Sequence, residues 1–98
     1  MTQQDAIKLV QREVLSSKPD CSLIQESHEE YLSCFVFFYQ SKKYIETGNA
    51  SDMYVGHGPV IVSKTTGSVF ETSSQNSSVE YVAVFEACGD PNAEKPQQ

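Results

Sequence analysis

Two histidines, three cysteines and a set of clustered carboxylates are the residues of this chain that could do chemistry, and their spacing decides how much. His57 sits in Gly56-His57-Gly58-Pro59, directly before the apolar triplet Val60-Ile61-Val62. A phosphate cradle needs consecutive backbone N–H groups opening a helix. Here Pro59 removes a donor and the following segment reads as a strand, so Gly56 and Gly58 shape a sharp backbone path into it. Cys34 would be a nucleophile only as a thiolate next to His28 or His57. It lies in the most apolar stretch of the chain, where a thiol behaves as a small hydrophobe. A small hydrolase or transferase built on Cys34 or His57 is therefore the weakest of three readings. Glu29 and Glu30, with Glu26 nearby, do not converge as an acid–base pair, because adjacent residues in extended backbone point apart. Cys21, Cys34 and Cys88 are odd in number and unclustered, which fits neither a zinc site nor a disulfide framework. No catalytic, metal or cofactor residue is expected.

What is left is a surface. Glu29, Glu30, Tyr31, Glu46, Asp52, Met53, Tyr54 and His57 fall in or beside the two longest non-strand regions. Aromatic anchors with a charged rim are what protein interfaces use. These positions, Met53 as their companion, are the expected partner-binding residues.

Net charge supports that reading. The 98 residues carry thirteen acidic against seven basic side chains, a formal charge of -6, and no basic cluster longer than Lys42-Lys43. Nucleic acid and anionic membrane are disfavoured as partners, since both need a cationic footprint. A protein partner with a basic cleft would be steered toward such a surface. No secretory leader and no apolar run of membrane-spanning length is present in the sequence, so a cytoplasmic location is expected.

These residues must be positioned by a small core. The length predicts one domain over 1–89, with a flexible tail at 90–98 that carries two prolines. Residues 2–16 read as an amphipathic helix, with Thr2 and Asp5 as a capping box and Glu13 at its exposed edge. Residues 21–28 read as a strand, His28-Glu29-Glu30 as a polar turn, and 31–40 as one long strand buried on both faces. At a sheet edge, that strand could pair with a second copy; the oligomeric state stays open. Tyr44 and Ile45 pair briefly within a long connection. Val60–Val62 and 68–72 form a hairpin closed by Thr65-Thr66-Gly67, with Gly67 at a positive φ. Residues 78–88 are rich in valine and aromatic residues, as a strand would be. Ser77 with Glu80, and Gly89 after Cys88, favour a helix instead. The order α-β-β-β-β-α predicts an α+β fold, an antiparallel sheet of about four strands with a helix at each end.

Residues 44–86 also carry a family pattern. Tyr44-Ile45-Glu46-Thr47-Gly48-Asn49, then Gly56-His57-Gly58-Pro59-Val60-Ile61-Val62, then Lys64-Thr65-Thr66-Gly67, and finally Glu80-Tyr81 and Phe85-Glu86 resemble the immunity protein 35 family of small bacterial proteins. Ser63 stands where an acidic residue is common in that family. The resemblance implies a non-enzymatic protein that binds and neutralises a cognate toxin encoded beside it. Combined with the charge, it implies an acidic surface covering the toxin's active site. It also allows an alternative, a chaperone-like stress protein without a dedicated partner. Its glycines are fold markers and its motif brings no catalytic residue.

Overall fold

The computed structural model describes residues 1–93. Helix α1 (Gln3–Glu13) begins at a complete capping box, with Thr2 and Asp5 satisfying each other's backbone N–H groups. The hydrogen bonds with Thr2, above all, hold the Asp5 carboxyl below its ordinary pKa. The helix buries Ala6 and Val10, and Val14 just beyond it, on one side. It is shorter than the 2–16 expected: residues 15–17 tighten into a 3₁₀ turn, and Glu13 faces solvent beside Arg12 at 3.7 Å.

Six strands follow where four were expected, and they form two sheets. β1 (Cys21–Leu23) pairs antiparallel with β4 (Tyr39–Ser41). β2 (Glu29–Glu30), β3 (Cys34–Phe37), β5 (Val60–Ser63) and β6 (Val69–Glu71) make an antiparallel sheet in that spatial order. The predicted α+β class with a helix at each end holds.

The differences have local causes. The first strand stops at Leu23, and Gln25–Ser27 coils into a 3₁₀ turn. Glu29-Glu30 is a strand and not the turn expected there. The reversal comes at 31–34, where the Tyr31 N–H donates to the Cys34 carbonyl at 2.8 Å and Leu32-Ser33 form the tip. The predicted 31–40 strand therefore starts at Cys34. It also breaks at Phe38, whose carbonyl accepts the Ile24 N–H at 2.9 Å as the chain crosses from the four-stranded sheet to the two-stranded one. Tyr44 and Ile45 do not pair. They lie in a short helix, α2 (Lys42–Thr47), capped by the Ser41 hydroxyl and ended by Gly48 in the left-handed region.

Helix α3 (Ser78–Cys88) forms as the Ser77–Glu80 box and Gly89 predict. Its valines and aromatics reflect burial against the sheet, which outweighs their β propensity. Tyr81, Val82 and Phe85 pack on Cys34, Val36 and Ile61. α1 covers the opposite face, against Phe35, Phe37, Val60 and Val62. β3 is thus buried on both faces and lies between β2 and β5, as its composition implied. The β5–β6 hairpin turns through Gly67 at φ +74°. Ser63, the departure from the family pattern, helps to close it: its hydroxyl accepts the Thr66 N–H at 3.2 Å. Of the expected tail, Pro91 is buried and Asn92 donates to the Glu71 carbonyl at 2.8 Å, while 94–98 lie outside the described residues.

Candidate partner-binding site

The expected partner residues separate into two groups. The first surrounds the β2–β3 hairpin. Glu29 is half-buried and accepts from the Tyr31 hydroxyl at 2.9 Å and from the Ser78 hydroxyl at 3.1 Å, which ties β2 to the first turn of α3. The hydrogen bond to Glu29 raises the pKa of the Tyr31 phenol, and burial adds to it. Glu30 pairs with Lys64 at 2.8 Å. At the tip, the Ser33 hydroxyl donates to Glu86 at 2.7 Å and its carbonyl accepts the Lys64 N–H at 3.0 Å. Leu32 is left 98% exposed between these anchors.

His28 opens this group. Its ring meets the edge of Phe37 at 4.8 Å, and both ring nitrogens are buried without a protein hydrogen-bond partner. Burial lowers its pKa below 6.5, against the opposing pull of Glu26.

The second group is the segment from α2 to Pro59. Glu46 is exposed on α2. Asp52 pairs with Lys43 at 3.5 Å and accepts from the Thr47 hydroxyl at 3.1 Å. Met53, Tyr54 and Val55 are 39%, 40% and 73% exposed in succession. Their backbone is nevertheless fixed. The buried Gln40 side chain acts as a substitute strand: its Oε1 accepts the Tyr54 N–H at 2.6 Å and its Nε2 donates to the Tyr54 carbonyl at 3.0 Å. The same Oε1 accepts the Ser41 N–H at 2.8 Å. His57 Nε2 lies 2.7 Å from the Tyr39 carbonyl; a carbonyl only accepts, so Nε2 carries the proton. The imidazole stacks on Tyr39 at 4.3 Å and leans on Tyr54 at 4.9 Å. Burial drives the Tyr39 phenol well above its ordinary pKa, helped by Glu71 and Tyr54. Tyr39 is a neutral wall and no proton donor near neutrality.

The glycines act as the sequence indicates. Gly56 takes φ +88°. Gly58 donates its N–H to the Thr72 carbonyl at 2.9 Å, and a Cβ there would overlap the Ser73 carbonyl. Pro59 is buried, and its carbonyl accepts the Thr72 hydroxyl. Gly-His-Gly-Pro is thus the lead-in to β5, and its histidine fastens the neighbouring loop.

Cys34 packs within the α3-side core, and burial raises the pKa of its thiol, as it does for Cys21. That is the opposite of what nucleophilic activation requires. Among the described residues no group of three or more His, Cys, Asp or Glu side chains could hold a metal ion, and no helix is long and apolar enough to cross a membrane.

Sequence reasoning missed Gln40, Ile24, Phe38 and Val55. Gln40 had a visible signal, an amide ending an otherwise apolar run. Ile24 and Phe38 carried none, because each reads as an ordinary apolar strand residue and is left half-buried only in the fold.

The chain is a small α+β protein with an exposed apolar loop and with Cys21 and Cys34 buried. The family described as Immunity protein 35 matches residues 4–84 of the 98, and the chain belongs to that family. The match takes in nearly all of α1, the six strands and the 44–86 pattern as far as Val84. No curated protein and no solved structure matches the chain.

Proposed function

We propose that the protein neutralises a cognate toxin by direct binding, and that the Asp52–His57 loop with Glu46 forms the centre of the contact. Family membership supports the toxin-neutralising role. The observation that carries the choice of surface is the outward Met53-Tyr54-Val55 run on a backbone held by Gln40 and His57. A rigid apolar display loses little entropy on binding, and aromatic anchors of this kind carry much of an interface's affinity.

The acidic part of the reading is narrower than the sequence suggests. Glu30 and Asp52 already have lysine partners, and Glu29 is occupied by two hydroxyls. The charge of -6 acts chiefly at long range, guiding encounter with a basic cleft. Glu46, on the surface of α2, is the carboxylate best placed to touch the partner.

The test is co-expression with the toxin domain encoded beside the gene. Wild-type protein should restore growth, and Glu46→Lys should slow association and flatten its salt dependence. Failure to restore growth, together with suppression of heat-induced aggregation of unrelated proteins, would replace this reading with the chaperone-like one.

A further inference from the structure

An open groove of about 400 Å³ runs between the 53–57 loop and the segment before α3, with Ile24, Phe38, Met53, Tyr54, Val55 and Ser74 among its lining residues. It lies where the chain crosses at Phe38 from the four-stranded sheet to the two-stranded one. α3 covers Cys34 and Val36, and the next outward residue, Phe38, is left half-buried.

We propose that this groove is a socket for a protruding apolar side chain, aliphatic or aromatic, of the toxin partner. The inference rests on the binding role above and adds the chemistry of the central contact. The lining contains no Asp, Glu, Lys or Arg, although a fifth of the chain is charged. A cationic side chain would find no counter-charge inside it. Its walls are set in advance by the Gln40–Tyr54 pair of hydrogen bonds and the Tyr39–His57 stack, so the socket need not be built on binding.

The occupant is a partner and not a second copy. A second copy would bring another six negative charges to the contact, and the exposed Leu32 that could fill the groove sits beside Glu30 and Glu86. A partner with a basic rim around an apolar protrusion satisfies both the neutral groove and the acidic surface outside it.

The experiment uses the full chain, ¹⁵N-labelled, with N-acetyl-tryptophanamide and N-acetyl-leucinamide as apolar probes and N-acetyl-argininamide as the cationic one. The apolar probes should give saturable amide shifts confined to Ile24, residues 53–57 and Ser74. Val55→Asp, an exposed change, should abolish them with the remaining spectrum intact. Against the co-expressed toxin domain, Val55→Asp should weaken binding about tenfold or more. Shifts centred elsewhere, or a stronger response to the arginine probe, would overturn the socket. So would a dimer in sedimentation that both Val55→Asp and Leu32→Ser dissolve, since the occupant would then be a second copy. Full protection by Val55→Asp would also overturn it. If wild-type protein neutralises no toxin while the apolar probes still bind, the socket chemistry stands and the toxin reading fails.

Discussion

The β2–β3 hairpin and the 52–57 loop both draw on acidic and aromatic residues, and the fold uses them in opposite ways. In the hairpin the polar groups are engaged with one another: Glu29 with Tyr31 and Ser78, Glu30 with Lys64, Ser33 with Glu86. In the loop the polar groups that matter are supports, the buried Gln40 and the half-buried His57, and the side chains they present are apolar. The lesson is that a carboxylate's place in a sequence says little about whether it is available to a partner. What decides it is whether a hydroxyl or ammonium group lies within reach in the fold.

Substitutions can break that contrast from either side. The largest effect is expected at Gly58. An alanine Cβ there meets the Ser73 backbone, so Gly58→Ala should cost about 3 kcal/mol in urea unfolding and displace the adjoining loop. Gln40→Leu comes next. It leaves the Tyr54 and Ser41 backbone groups without their partner and should lower stability by about 2 kcal/mol. Hydrogen exchange of the 53–57 amides should accelerate by more than that of the β3 amides. Equal acceleration would mean the loop is not held separately.

On the hairpin side the effects are smaller. Glu29→Gln weakens two charge-assisted hydrogen bonds to hydroxyls, and about 1 kcal/mol is expected, with toxin binding unchanged because the carboxylate faces inward. A loss of binding without a loss of stability would restore Glu29 to the contact surface. His28 should reveal itself by pH. Burial holds its pKa below 6.5, so the unfolded chain takes up the proton first, and stability falls as pH drops through about 6.5 toward the folded-state pKa. Between pH 7 and pH 5 the wild-type Tm should fall further than that of His28→Leu, and parallel curves would sink the assignment. Lys64→Met should be mildest. Its ion pair with Glu30 is partly exposed, and under about 1 kcal/mol is expected. Much of the contact of the lysine stem with Phe35 should survive, since the ammonium lies 4.8 Å from that ring.

Much of the frame was legible from residues alone. Thr2 with Asp5, Ser77 with Glu80, Gly67 and Gly89 are local signals, each answered within three or four residues by a backbone group. Glu29-Glu30 read wrongly as a turn because two glutamates resemble surface loop, while the true reversal at Leu32-Ser33 has no Gly, Pro, Asn or Asp to mark it. The run 31–40 read as one strand because its apolar composition is continuous. Its break at Phe38 comes from a hydrogen bond to Ile24, fourteen residues earlier in the chain.

The sequence by itself determined the two capped helices, the β5 hairpin with its glycine lead-in, the apolar central strand, the acidic charge and the family pattern. All of these depend on neighbours in the chain or on composition. Tertiary structure alone decided which carboxylates are engaged, that Gln40 would stand in for a strand, and that a neutral groove would open beyond α3. Each of these depends on groups distant in sequence meeting at hydrogen-bonding or packing distance, and no local pattern encodes that meeting.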